Sequence, residues 1–291
     1  GGSFFYPNPL ASNGKYSRKP WFGCACCPSN VSRFIPSLPG YVYAVKDNQV
    51  YVNLYLSNKA ELIINKKKVV LEQETGYPWN GDIRVKVAQG NQEFALKLRI
   101  PGWVRNEVLP SDLYSYADNQ KPTYRIIVNG QETANTLNNG YLSIERKWKK
   151  GDVVKIHFDM LPRIVKANEK VVDDKGRVSV ERGPIVYCAE WPDNKCNVHT
   201  VLLNQHPQFK VVEKPELLYG ISQLKTDAQA LSYDKNGKLI TKDTELTLIP
   251  YYAWAHRGEG DMEVWLPIDV SAASALPQEV QKWEDNGFFK N

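Results

Sequence analysis

The sequence lacks any run of about 18 apolar residues, so it predicts no membrane-spanning helix. Glycine-rich phosphate-binding motifs and the His-Glu-x-x-His zinc motif are also missing. Lysines and arginines alternate with acidic residues and leave a net charge of only +5, unlike the basic stripe of a nucleic-acid-binding protein. Five cysteines are too few, and odd in number, for a disulfide scaffold. We therefore expect neither a nucleic acid nor a membrane as a partner.

Proline and glycine are plentiful instead, with 18 and 19 residues spread along the chain, which predicts many turns and few long helices. From residue 41 onward, apolar and polar residues alternate as in half-buried strands. This alternation predicts one hairpin over 41–56, a second over 61–73, and a strand pair formed by 83–87 and 94–100. Asn129-Gly130 is the strongest two-residue hairpin signal.

A second β-rich unit is predicted from residue 161 onward. Gly183-Pro184 separates two apolar runs there, and further strands are expected at 237–242, 244–250 and 251–255. Residues 1–20 show no periodicity and predict an extended loop. The predicted fold is therefore mostly β, with antiparallel, jelly-roll-like β-sandwich domains at 41–160 and 161–291.

The run WFGCACCPSNVSRF at 21–34 places Cys24, Cys26 and Cys27 directly before a short predicted helix, 29–38. Pro28 suits a helix start, where its missing N–H is not needed. A thiolate is favoured at such a helix N-terminus. From these residues alone, three interpretations stay open: small buried thiols, a partial soft-metal site and a reactive nucleophile.

The same run resembles the junction between helical and β domains in family 127 glycoside hydrolases, which include bacterial β-L-arabinofuranosidases. Further stretches are similar to this family and keep its order: YPWNGDIRVKV, LRIPGW, GYLSIERKWKKGDVVKIHFDM, ERGPIVYCAE and YYAWAHRGEGDMEVWLP. The Cys-Cys-Pro junction is the most specific of them. The resemblance covers nearly the whole chain and implies an N-terminal (α/α)6 barrel. Residues 1–40, with their short helix, are then the remnant of that barrel's C-terminal end.

By this resemblance, Cys26 matches the family's nucleophile and Cys27 matches a zinc ligand beside it, so that both belong to a partial zinc site. Cys24 is a weaker candidate ligand. The resemblance implies a retaining reaction, in which the Cys26 sulfur attacks the anomeric carbon. A glutamic acid then protonates the leaving oxygen and later activates water. Bound zinc keeps the sulfur deprotonated.

The chain lacks the rest of that site. The family's Glu-x-Cys zinc ligands and its acid/base glutamate lie upstream of the cysteine pair, whereas the first acidic residue here is Asp47 and the first glutamate is Glu61. We therefore expect a C-terminal portion that is inactive alone, binds zinc weakly or not at all, and has the missing helical barrel as its intramolecular partner. The parent enzyme is expected to act on plant-type arabinofuranosyl oligosaccharides, in a bacterial periplasm or cytoplasm.

A second hypothesis is a non-catalytic β-sandwich module that binds carbohydrate or scaffolds a partner domain. Exposed aromatic side chains would stack on sugar rings, although each of these tryptophans is more often a core or domain-interface residue. The candidates are Trp79, Trp103, Trp148, Trp254 and Trp265.

The remaining cysteines and the histidines carry weaker signals. Cys188 lies in an apolar run and is expected in the core, with a disulfide to Cys196 as the alternative. The four histidines are scattered without metal-binding spacing, and His256 is expected in a turn.

Overall fold

The computed structural model describes residues 2–23, 26–118, 120–133, 136–236 and 238–274. Its α-helices are α1 (Cys26–Ser37), α2 (Pro39–Val42) and α3 (Val270–Ser274). Single turns of 3-10 helix lie at Val172–Asp174, Trp191–Asp193, Val198–Thr200 and Tyr251–Ala253. Over these described ranges, none of the helices has the length and apolar character needed to cross a membrane.

The rest of the secondary structure is β. The strands of the first half are β1 (Ala11–Asn13), β2 (Tyr43–Lys46), β3 (Gln49–Val52), β4 (Asn58–Ile64), β5 (Lys67–Thr75), β6 (Asp82–Gln89), β7 (Asn91–Arg99), β8 (Tyr114–Tyr116), β9 (Tyr124–Val128), β10 (Gln131–Glu132) and β11 (Leu137–Asn138). Those of the second half are β12 (Tyr141–Lys149), β13 (Val153–Phe158), β14 (Pro162–Ala167), β15 (Arg177–Arg182), β16 (Ile185–Glu190), β17 (Val201–Leu203), β18 (Lys210–Lys214), β19 (Ile221–Tyr233), β20 (Leu239–Pro250), β21 (Asp261–Glu263) and β22 (Leu266–Pro267).

The chain forms two compact units that are interleaved in sequence. The middle unit contains residues 24–107 and 120–161. The C-terminal unit contains residues 1–23, 108–119 and 162–291. The domain boundaries predicted after residues 40 and 160 stay a prediction.

The middle unit contains two sheets. Among the described residues, one sheet has the strand order β10-β9-β13-β6-β5-β4 and the other has β11-β12-β7-β3-β2. Alternate residues of a strand are buried, as Ile83, Val85 and Val87 are in β6, which is the pattern that a sandwich requires. The prediction of a mostly β, antiparallel fold is confirmed, with β3 and β7 as a parallel exception.

The hairpins predicted over 41–56, over 61–73 and around Asn129-Gly130 are present as β2–β3, β4–β5 and β9–β10. The predicted pairing of 83–87 with 94–100 is wrong. The corresponding strand β6 pairs with β5 and β13, whereas β7 pairs with β12 and β3 of the other sheet. Only Gly90 separates β6 from β7, which is too short a link for a two-residue hairpin turn. Its φ of 148° suits glycine and lets the chain pass between sheets.

The C-terminal unit is built on one large sheet, whose described strands follow the path β17-β19-β20-β16-β15-β14-β8. The N-terminal segment packs on this unit instead of forming the featureless loop that its sequence predicts. Strand β1 pairs with β21, and the Arg18 guanidinium donates to the Trp254 carbonyl oxygen at 2.8 Å. The Phe5 ring stacks on Trp254 with a centroid distance of 4.6 Å. Both ends of the described chain therefore belong to one fold unit.

Three further predicted elements differ from the structure. The separate strands at 237–242 and 244–250 merge into β20, because β19 pairs with it continuously from Leu224 to Tyr233. The strand expected at 251–255 is a 3-10 turn, after which Ala255 has a φ of 56° that no strand allows. The helix predicted at 29–38 runs over Cys26–Ser37, because Pro28 fits the first turn, where its missing N–H has no partner to lose.

A buried polar network holds the N-terminal segment to the C-terminal unit. His199 is 2% exposed and Glu263 is 1% exposed. The His199 Nδ1 lies 2.6 Å from Glu263 Oε2, and its Nε2 lies 2.9 Å from the Ser12 carbonyl oxygen. Burial lowers the pKa of His199, but the Glu263 carboxylate, Asp261 and the Ser12 carbonyl outweigh it and raise the pKa overall. Both ring nitrogens face acceptors, so the imidazolium form satisfies them best.

We expect this network to make stability depend on pH. Because the fold raises the pKa of His199, its contribution is complete below the unfolded pKa of about 6.5 and is lost as the pH rises through the folded pKa. His199→Gln should lower the free energy of unfolding by about 3 kcal/mol at pH 6 and reduce its slope towards alkaline pH. Urea unfolding followed by tryptophan fluorescence checks both. His206→Gln, an exposed control, should leave the slope unchanged; equal slopes in all three proteins would contradict the assignment.

A second constraint is the close approach of two backbone segments at Gly81. The Phe158 N–H donates to the Gly81 carbonyl oxygen at 3.0 Å, and a Cβ on Gly81 would lie 1.9 Å from the Phe158 carbonyl oxygen. Gly81→Ala should therefore lower the free energy of unfolding by about 3 kcal/mol. Gly40→Ala, which meets no atom within 4 Å, is the matched control. Similar urea midpoints for the two variants would refute this steric account.

Candidate functional site

The cysteine pair lies at the start of α1. Cys26 and Cys27 are the first two residues of that helix, and both are exposed. Their sulfur atoms are 3.5 Å apart, and neither belongs to a disulfide. Cys24, the weaker candidate ligand, lies outside the described residues. The structure thus presents two neighbouring thiols to solvent instead of burying them as small core residues.

Local sequence explains why the helix begins there. Pro28 occupies the third helical position, where an N–H would have no partner within the helix. The hydroxyls of Ser29 and Ser32 donate to the carbonyl oxygens of Cys26 and Pro28 at 3.1 and 2.9 Å. The N–H groups at the first positions and the helix dipole favour negative charge beside the thiols.

The cysteine pair by itself does not fit a zinc ion. Thiolates are preferred zinc ligands, but a protein zinc site has four ligands when structural and three plus water when catalytic. Cys26 and Cys27 supply two, and the described part of the chain holds no cluster of three or more His, Cys, Asp or Glu side chains suited to a metal. Zinc binding therefore stays a proposal, because the ion requires ligands beyond these two cysteines.

The other cysteines are structural. Cys188 is buried in β16, and burial raises the pKa of its thiol well above the ordinary value. Cys196 is half-buried, and burial also raises the pKa of its thiol. Neither is in a disulfide, and they pack against separate apolar clusters. The structure therefore contains no Cys188–Cys196 disulfide, which was the alternative expectation.

Most candidate tryptophans are core residues. Trp103, Trp148 and Trp254 are buried, and Trp265 stacks on Tyr114 with a centroid distance of 5.6 Å. Trp79 is the exception, with 46% of its surface exposed. One tryptophan of the set is thus available for a sugar ring.

Sequence reasoning missed a partly buried ion-pair network behind the predicted His256 turn. The Arg257 guanidinium bonds both Glu190 and Asp193, and the Glu190 carboxylate also accepts the Ala255 N–H at 2.6 Å. Burial lowers the pKa of Arg257, but the two carboxylates outweigh it, so the side chain stays charged. Arg257 lies more than 60 positions from both carboxylates in sequence, so no local signal announces the network. Their role is to fix the turn.

Helix α1 exposes an apolar face beside the thiols. Val31, Phe34 and Ile35 follow the i, i+3, i+4 spacing of one helix face, yet no residue of α1 is buried. Phe34 is 56% exposed and Ile35 is 59% exposed. The Tyr41 ring of α2 extends the same face, 6.5 Å from the Phe34 ring. An exposed apolar face of this kind is typical of an interaction surface.

Three family models match successive stretches of the chain. Residues 1–40 match the family model "Beta-L-arabinofuranosidase, GH127 catalytic domain", residues 49–160 match the GH127 middle domain, and residues 162–267 match the "Glycoside hydrolase family 127 C-terminal domain". A curated relative is the "Non-reducing end beta-L-arabinofuranosidase" of Bifidobacterium longum subsp. longum. It is 30% identical over 268 residues, which cover 85% of this chain and 38% of the relative.

Solved structures agree with the family models. A GH127 β-arabinofuranosidase is 82% identical with a TM-score of 0.91, covering 93% of this chain and 43% of that one. A GH127 β-L-arabinofuranosidase from Geobacillus stearothermophilus T6 is 33% identical with a TM-score of 0.79, covering 91% and 42%. These matches show that the chain has the fold of part of a glycoside hydrolase. The chain belongs to glycoside hydrolase family 127, the β-L-arabinofuranosidase family, and spans less than half the length of these relatives.

We expect the apolar face of α1 to bind hydrophobic probes. The double variant Phe34→Ser/Ile35→Ser should lower the fluorescence of an apolar dye bound to the native chain by roughly half, because it removes a contiguous patch. Ile63→Ser is the matched control, since Ile63 is 63% exposed on strand β4 of the same unit. An equal loss for the control would show that the helix face has no special affinity.

Proposed function

We propose that this chain forms the C-terminal β portion of a retaining bacterial glycoside hydrolase that cleaves β-L-arabinofuranosyl linkages, with Cys26 as its nucleophile. One observation carries the proposal. The exposed Cys26 thiol begins a helix within the segment that matches the family's catalytic domain. Relatives named β-L-arabinofuranosidases support the substrate class.

The position of Cys26 suits nucleophilic attack. Its exposed sulfur at the start of α1 is open to a sugar, and the positive end of the helix lowers the cost of its anionic form. In the proposed reaction, a bond forms from Cys26 Sγ to the anomeric carbon while the bond from that carbon to the leaving oxygen breaks. An acid must protonate that oxygen, and water later displaces the sulfur, so that two inversions retain the configuration.

The acid/base group lies outside this chain in the proposal. No acidic residue precedes Asp47 in the sequence, and no carboxylate joins the thiols in a cluster of three or more among the described residues. A nucleophile without an acid leaves most of the barrier to glycosidic cleavage in place. The 291-residue chain alone is therefore proposed to be inactive.

Zinc is proposed only for the complete protein. Cys27, with Cys26 beside it, supplies two soft donors, and the remaining ligands would come from outside the described residues. Metal analysis of the longer protein tests this directly, because the proposal requires about one zinc per chain there and less in a Cys27→Ser variant.

The activity test compares two lengths of the protein. We expect the 291-residue chain to release no sugar from an aryl β-L-arabinofuranoside, and the chain with its upstream gene-encoded sequence restored to do so. In the longer protein, Cys26→Ser should lower kcat by about three orders of magnitude. Cys196→Ser, a half-buried thiol in the other unit, is the matched control and should retain activity.

Two outcomes would contradict the proposal. Turnover by the short chain that disappears with Cys26→Ser would show that no upstream acid is needed. Undiminished turnover by the long Cys26→Ser variant would remove Cys26 from the reaction.

A further inference from the structure

A cleft lies on the outer face of the six-stranded sheet in the middle unit. It is formed by β5, β6, β9 and β13 together with the turn at 76–80, and its volume is about 590 Å³. That volume falls in the range of small-ligand sites. The ionisable side chains that line it are Glu74, Asp82, Arg84, Arg125, Lys155 and His157.

Strand register places like charges side by side in this cleft. Lys155 of β13 lies directly opposite Arg84 of β6, and on its other side lies opposite Ile127 of β9. Arg125 is two residues from Ile127 on the same face of β9 and lines the same cleft. Like charges directly opposite each other destabilise a sheet. Three cations on adjacent strands therefore destabilise the sheet. A contribution to folding stability does not explain why they are there.

The acidic residues of the cleft already have partners. Glu74 pairs with Arg84 at 2.9 Å, and Asp82 lies 2.7 Å from His157 Nδ1. Among the described residues, neither Arg125 nor Lys155 forms a side-chain hydrogen bond or ion pair. Two cationic groups in the cleft are thus left for an external anion.

The remaining lining suits a sugar ring. Ile127 is half-buried and neighbours both cations, since it lies opposite Lys155 and two residues from Arg125 on β9, and it offers an apolar surface to ring C–H groups. The bordering turn carries Trp79, the exposed tryptophan noted above. Glu74 and Asp82 retain acceptor capacity for hydroxyl groups. A cleft with cations, an apolar surface and hydrogen-bond acceptors is complementary to an acidic sugar more than to an inorganic anion.

We infer that this cleft binds a uronic-acid unit of a glycan. The carboxylate would pair with Arg125 and Lys155, since guanidinium and ammonium groups form strong charge-assisted hydrogen bonds with carboxylates. The ring would lie on Ile127, and its hydroxyls would face Glu74 and Asp82. This site uses none of the residues of the proposed reaction, so either proposal stands without the other.

The test is calorimetric titration of the whole chain with trigalacturonic acid at low ionic strength. We expect saturable binding, weakened by at least about tenfold in Arg125→Gln/Lys155→Gln. The matched control, Lys147→Gln/Lys149→Gln, removes two exposed charges from β12 of the other sheet and should bind within about twofold of the unmodified chain. Urea midpoints no lower than that of the unmodified chain, in both variants, would confirm that folding is intact.

Four results would overturn the inference. Three of them are the absence of saturable binding by the unmodified chain, an equal loss in both double variants, and equal affinity for neutral arabinotriose. A sulfated trisaccharide is a fourth arm, because equal or tighter binding of it would show that the cleft recognises charge and not the uronate carboxylate.

Discussion

The contact on which the fold depends most is the pairing of β1 with β21 under the buried His199–Glu263 pair. It fixes the N-terminal segment to a sheet made almost entirely of residues beyond 160. An imidazole that bonds a carboxylate on one side and the Ser12 carbonyl on the other satisfies three polar groups in a dry environment. This pairing fixes the segment that precedes the cysteine pair to the C-terminal unit.

The thiols lie on an element that contrasts with the rest of the fold. Strands with buried faces make up most of the described secondary structure, whereas α1 buries none of its residues. Short helices in water are marginal unless an apolar face is covered. Val31, Phe34 and Ile35 leave the apolar face of α1 uncovered among the described residues. The cysteine pair, which includes the proposed nucleophile, lies on the same helix as this face.

Sequence alone predicted the β class and the hairpins, because alternation and turn residues are local signals. It failed to predict strand pairing between segments that are distant in sequence. The alternation of β6 and β7 shows which side of each strand is buried, but it does not show that the two strands belong to different sheets. The cysteine pair stood out through spacing, and its proposed role came only from family resemblance. The cation cleft gave no signal, because Arg84, Arg125 and Lys155 meet only through sheet register.

The interleaving of the two units has an evolutionary consequence. The C-terminal unit takes β1 and β8 from stretches that lie on either side of most of the middle unit in sequence. In β8, the Tyr116 ring lies under the Arg163 guanidinium at 3.5 Å. Loss of residues 1–161 would leave the edges of β14 and β21 bare and prone to pair with other chains. Separating the two units at the level of the gene therefore requires β1 and β8 to stay with the C-terminal unit.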